Sequence, residues 1–329
     1  MKRLLAFVVF LVLGIILFSS VVRAVGWNEV WSAIQEFWGG KGVLLLILTF
    51  LILALGNWRW KEILKSQGYH IPFFSLFKVY LGGLSVAFFI PTLPFGSDLL
   101  RAYTIQKTYN IPFSRVFVSA LIERILEITA YLVVILGGVT IFLLSTQIFH
   151  TMILILFGAA LLFVTILSFF YFKSFKKESI VGMILPSIKK TSNILEVESE
   201  VFNFFKLRNS ALWRGFLFSF LKSLSALLRA WVLVFFLWET IGFLSILSVL
   251  GFSYLALLVP IPAALGSHDA LQALLFQSLG AGAHTGAAFA LLIRAAEFAF
   301  ALVGILFLIW LGIVLFRDTA VKKRERLPF

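Results

Sequence analysis

The chain of 329 residues is 61% hydrophobic and 13% charged, with mean hydropathy +1.04, against about 45–50% apolar and 25% charged in soluble domains. Its apolar runs are continuous rather than alternating, which points to an all-α polytopic membrane protein and away from a β-barrel. With no cysteine, thiolate sites are excluded. The four scattered histidines, His70, His150, His268 and His284, offer no ligand spacing, so no metal or cofactor is expected.

Lys2 and Arg3 precede an apolar run at 4–22, read as an uncleaved first helix because no small-residue cleavage site follows. In GWNEVWSAIQEFWGG, Trp27, Val30, Trp31, Ile34, Phe37 and Trp38 share one helical face, expected to lie flat at the outer interface. Further spans are expected at 43–58, 116–144, 151–172, 211–237 and 285–316; a bilayer core needs roughly 20 residues, which 43–58 reaches only with its flanks. Two more apolar runs, 73–93 and 244–265, end in backbone breaks. These are PTLPFGSD (91–98), with Pro91, Pro94 and Gly96, and VPIPAALGSHD (259–269), with Pro260, Pro262 and Gly266. Each is read as the first arm of a re-entrant hairpin, giving six full spans and two hairpins in a single transmembrane domain. The basic segment 173–214, with its acidic patch Glu196, Glu198 and Glu200, reads as a cytoplasmic surface helix near anionic lipid.

The net charge of +13 would suggest nucleic acid in a soluble protein; here the loop bias of Lys and Arg accounts for it. With a cytoplasmic N-terminus, the segments 1–3, 59–78, 98–115, 173–214 and 317–329 hold 22 Lys and Arg, and the outer segments hold two, Arg23 and Lys41. Both termini are therefore expected in the cytoplasm of a cell or inner membrane. The remaining four cations, Arg124, Lys222, Arg229 and Arg294, fall within spans.

The two breaks belong to a repeat. Gly96 and Gly266, Ser97 and Ser267, Ala120 and Ala290, Leu121 and Leu291, Arg124 and Arg294, and Glu127 and Glu297 all stand 170 residues apart. The strings ALIERILEI and ALLIRAAEF show the match. Repeat one covers about 73–144 and repeat two about 244–316; the first break is entered from the cytoplasm and the second from outside. Such inverted repeats place a substrate site near the midplane, and irregular backbone at that depth is tolerated where it lines a cavity.

Ser97 and Ser267 are read as N-caps of the half-helices after each break, with Asp98 and Asp269 in the first turn, where the helix dipole favours an anion. Arg124 with Glu127 and Arg294 with Glu297 are i, i+3 pairs, and Glu123 adds an acid. A mid-span charge costs about 2.5–3.5 kcal/mol. One reading makes these residues internal ion pairs that lock helices together. The other gives Arg124 and Arg294 the task of receiving a phosphate, with Glu127 and Glu297 holding them when the site is empty or carrying a proton. Lys222 and Arg229, seven apart on one face, are candidates for the same cavity, with snorkelling the preferred account of Lys222.

PTLPFGSDLLRAY, ALIERILEI, VPIPAALGSHDA and LLIRAAE resemble the lysylphosphatidylglycerol synthase transmembrane region, a flippase-like integral membrane family, over nearly the whole chain. Asp98, Arg101 and Ala102 match its first motif, whereas Gly96-Ser97, Ala263-Ala264 and Asp269 depart from the family pattern. The resemblance implies a translocase that moves a phospholipid or polyprenyl-phosphate lipid between leaflets. Only 13 residues follow the last expected span, so a translocation module without a cytosolic aminoacyl-transferase domain is expected, and not an enzyme. Two rivals stand beside it. One is an intramembrane lipid-phosphate enzyme using Asp98, Glu123 and Glu127 as acid–base groups; the other is a non-transporting subunit whose segment 173–214 docks a separate synthase or glycosyltransferase.

Overall fold

Long apolar runs make long helices because every backbone amide must find its partner within the segment when no water is at hand. The computed structural model describes residues 28, 31–32, 35, 37, 39–89, 96–146, 151–176, 192–206, 209–238, 242–257 and 266–324. Among them are ten helices and no strands: α1 (Gly40–Ser66), α2 (Phe73–Phe89), α3 (Gly96–Tyr109), α4 (Phe113–Thr146), α5 (Thr151–Lys176), α6 (Ser192–Phe204), α7 (Ser210–Leu237), α8 (Phe243–Ala256), α9 (Ser267–Ser278) and α10 (Ala283–Arg324). Five of these, α1, α4, α5, α7 and α10, contain segments long and apolar enough to cross a bilayer, while α2 and α8 are shorter apolar helices. The expected span 4–22, the prolines Pro91, Pro94, Pro260 and Pro262, and most of the amphipathic stretch 27–38 lie outside the described residues.

The bundle is inside-out relative to a soluble protein. Ile47, Val133, Leu162, Phe220 and Leu306 are all exposed on its outer surface, while Arg59, Asp98, Glu123 and Asp269 are buried. One expectation is corrected here. The segment from residue 59 was assigned to a cytoplasmic loop, but α1 runs on to Ser66 and carries Arg59 and Trp60 into the interior. Arg59 is tolerated there because its charge is met by Glu123 and Glu127, and the Trp60 indole donates to the Ser119 hydroxyl at 2.9 Å. The part of segment 173–214 that follows its acidic patch is also more than a surface feature. Val201, Phe204 and Phe205, at and just beyond the end of α6, pack with Ile63, Ile122 and Leu126 in one apolar cluster.

Packing follows a reciprocal scheme. α2 lies against α10 and α8 against α4, while α1 pairs with α7. Both exchanged contacts use close backbone approach, as small residues allow between membrane helices. A Cβ at Gly138 of α4 would overlap the Leu247 carbonyl of α8, and one at Gly304 of α10 would overlap the Leu81 carbonyl of α2. Ser85 of α2 also donates to the Ala301 carbonyl of α10 at 2.6 Å. Three helix starts keep the spacing of 170 residues, Gly40 and Ser210, Phe73 and Phe243, and Phe113 and Ala283, while Gly96 and Ser267 are 171 apart.

Candidate functional site

The site is built first on α4. Glu123, Glu127 and Tyr131 recur at four-residue intervals and so share one helix face, with Arg124 one step around. The Glu123 carboxylate accepts from Arg59 and, at 3.0 Å, from Arg101. Glu127 is paired with Lys222 of α7, lies 3.5 Å from Arg59 and 3.8 Å from Arg124, and accepts from the Tyr131 hydroxyl at 3.0 Å. Arg124 reaches the first turn of α3, donating to Ser97 Oγ at 3.0 Å and meeting Asp98 at 3.3 Å. Arg101 lies 3.5 Å from Asp98, and its guanidinium lies over the Trp60 ring, 3.8 Å from the centroid, a favourable cation–π arrangement.

A second, simpler group occupies α7, α9 and α10. α9 starts from Gly266, whose φ of 79° suits a residue without Cβ. The Gly266 amide donates to Asp269 Oδ2 at 2.9 Å, and Arg294 donates to the same oxygen at 2.6 Å. Arg229 pairs with Glu297 at 3.2 Å. The two groups are cross-linked between α1 and α7: Arg59 donates to Ser219 at 3.0 Å, and Arg229 to Thr49 at 3.2 Å.

Both groups face one cavity of about 610 Å³, within the roughly 300–1,000 Å³ of small-molecule sites. Its described wall presents five cations, Arg101, Arg124, Lys222, Arg229 and Arg294, against three carboxylates, Glu123, Glu127 and Glu297. Arg124 is the most open of these cations that form ion pairs here: 35% of its side chain is accessible, against 5% for Arg101 and 11% for Arg294.

The structure thus brings Ser97, Arg101, Glu123, Arg124, Glu127, Arg229, Arg294 and Glu297 onto one cavity wall, with Asp98 and Asp269 buried beside their arginines. Three expectations are corrected. Lys222 does not snorkel; it is buried against Glu127, whose charge makes the interior position tolerable. Ser97 and Ser267 lie inside the first turns of α3 and α9 rather than at the caps, and the cap of α9 is Gly266. The partner holding Glu297 is Arg229 across the bundle, and Arg294 meets Asp269.

Arg59, His268, Tyr80, Tyr131 and Tyr254 also line or support the site and were missed. A signal for Arg59 was present: Leu45, Thr49, Ile52, Gly56, Arg59 and Ile63 recur at three or four residues and form the buried stripe of α1. Lys222 likewise falls on the stripe of Gly215, Ser219, Ala226 and Arg229, whose small residues mark a helix-packing face.

The sequence profile of the lysylphosphatidylglycerol synthase TM region matches residues 3–317. The UPF0104 membrane protein MJ1595 of Methanocaldococcus jannaschii is 25% identical over 124 residues, 38% of this chain and 37% of that protein. The chain thus matches little more than a third of that relative. A UPF0104 membrane protein of Methanothermobacter thermautotrophicus is 22% identical over 303 residues, 85% of this chain and 88% of that protein. No solved structure matches the chain. With its apolar spanning helices and a profile match over nearly its full length, the chain is a multi-pass integral membrane protein and belongs to the lysylphosphatidylglycerol synthase transmembrane-region family.

Proposed function

We propose that the protein is a lipid translocase. It passes the headgroup of a phospholipid or a polyprenyl-phosphate lipid through the cavity while the tails stay in the bilayer. The observation that carries this reading is the cationic excess on the cavity wall, with Arg124 open to it, inside a bundle whose outer surface is apolar. A guanidinium suits a phosphate by paired hydrogen bonds.

The transporter reading also draws support from the reciprocal packing. In it, α1–α4 and α7–α10 are two halves of an inverted repeat, each including the spanning helix before its hairpin, so that the repeat is one helix longer than the motifs alone indicated. The pairs Arg59–Glu127 and Arg229–Glu297, and Arg59–Ser219 and Arg229–Thr49, are equivalents under this scheme, and Arg124–Asp98 matches Arg294–Asp269 with the carboxylate one position later. Both termini lie in the cytoplasm, and the protein resides in the cell membrane. The enzymatic rival needs free acids, whereas Asp98, Glu123 and Glu127 are each engaged by two or more cations.

Purified protein in liposomes carrying a leaflet-specific fluorescent phospholipid tests the reading. Wild type is expected to exchange lipid at least about tenfold faster than Arg124→Ala/Arg294→Ala, the equivalent of about 1.4 kcal/mol. Equal, slow exchange by both proteins across several headgroups would remove the main support. Product formed from the lipid would favour the enzyme, and co-purification of a soluble synthase without lipid movement would favour the subunit.

A further inference from the structure

One set of contacts occurs twice in the bundle, around Glu127 and around Glu297, and the second copy lacks a member. Around Glu127, Ser219 of α7 accepts from Arg59 at 3.0 Å, and Arg59 lies 3.5 Å from the carboxylate. Lys222, one turn along α7 from Ser219, sets its ammonium against the same carboxylate. Around Glu297, Thr49 of α1 accepts from Arg229 at 3.2 Å, and Arg229 lies 3.2 Å from the carboxylate. Thr49 and Ser219, Arg59 and Arg229, and Glu127 and Glu297 are each 170 residues apart. At that spacing the counterpart of Lys222, one turn along α1 from Thr49, is Ile52. Position 52 thus has no charge to offer Glu297. Both residues line the cavity. Glu297 is also the most accessible of the carboxylates described on its wall: 38% of its side chain is open, against 11% for Glu127 and 2% for Glu123.

An acid at membrane depth is costly and is normally met by a cation. Glu127 shows that this arrangement seats a guanidinium and an ammonium against one carboxylate, the ammonium being a compact charge with N–H donors on every free side. Building on the translocase reading, we infer that the bound headgroup supplies at Glu297 the ammonium that Lys222 supplies at Glu127. The lipid then carries a primary ammonium as well as its phosphate. Arg124 and Ser97 receive the phosphate, and Glu297, beside Arg229, receives the ammonium. Arg124 and Glu297 are both open to the one cavity, so a single headgroup meets both. A quaternary ammonium has no N–H to donate and is a poorer substitute for the lysine.

Binding of short-chain lipids to the detergent-solubilised full chain tests the subsite. The probes are dioctanoylphosphatidylethanolamine, dioctanoylphosphatidylglycerol and dioctanoylphosphatidylcholine, with free ethanolamine as a separate amine. Wild type is expected to bind the ethanolamine lipid about tenfold more tightly than either of the others. Glu297→Gln is expected to remove that preference. Ile52→Lys, which puts the protein's own ammonium where the headgroup's would sit, is expected to remove it too. Damage to the fold would weaken all three lipids together, so the ratio isolates the subsite. Equal binding of the ethanolamine and glycerol lipids by wild type, or a preference that Glu297→Gln leaves in place, would overturn the inference. So would free ethanolamine raising the affinity for phosphatidylglycerol to that of the ethanolamine lipid, since the cation would then be a separate amine. In each of those cases lipid still binds and the translocase reading stands. Wild type binding none of the three lipids would instead overturn that reading itself.

Discussion

Glu123 shows what a single residue contributes. Its carboxylate is almost fully buried and is held by Arg59 and Arg101. Removing one member of a buried ion group leaves the others uncompensated in a medium that solvates them poorly, a loss of about 3–5 kcal/mol. Glu123→Gln is therefore expected to lower the thermal midpoint of the detergent-solubilised protein sharply. Glu200→Ala breaks the more accessible Arg115–Glu200 pair at 2.6 Å and is expected to change stability by no more than about 1 kcal/mol. Two equal midpoints would contradict the ranking. The same residue marks the limit of what was legible. Glu123, Arg124 and Glu127 stand out as charges inside an apolar run, and the cavity contains all three. Arg59 did not stand out as a site residue, and Lys222 stood out mainly as a snorkel, because their partners lie 64 and 95 positions away. Without those partners in view, a cation near the end of an apolar run reads as a loop marker or a snorkel.

At the scale of elements, the expected spans at 116–144, 151–172, 211–237 and 285–316 correspond to α4, α5, α7 and α10; α7 is one residue longer than expected and α10 runs on furthest, to Arg324. The first arms of the two breaks correspond to α2 and α8. Continuous apolar runs suffice to place such helices; which of them touch depends on small residues that composition does not rank. Gly138 and Gly304 mark the two exchanged contacts, where an added methyl would meet backbone oxygen that has no room to retreat. Gly138→Ala and Gly304→Ala are expected to destabilise the fold even though alanine favours a helix. Gly158→Ala on α5, where nothing lies within 4 Å of the added carbon, is expected to stabilise by about 0.5–1 kcal/mol. Thermal midpoints of the three variants check the contrast, and a stabilised Gly138→Ala would contradict the close packing of α4 on α8.

For the whole molecule, the translocase reading depends on two halves that enter the membrane from opposite sides and share one charged cavity. The repeated Arg-x-x-Glu and Gly-Ser motifs pointed to this arrangement. The crossing of Arg59 to Ser219 and Arg229 to Thr49 ties the halves together in a way that no local pattern reveals. The absence of cysteine makes the orientation directly measurable. Lys107 near the end of α3 and Gln277 near the end of α9 are both exposed, so each accepts a single cysteine with little structural cost. In intact cells, a membrane-impermeant maleimide is expected to label Gln277→Cys and spare Lys107→Cys, with the pattern reversed in inverted vesicles. Labelling of both positions from the same side would contradict the inverted halves, and with them the carrier.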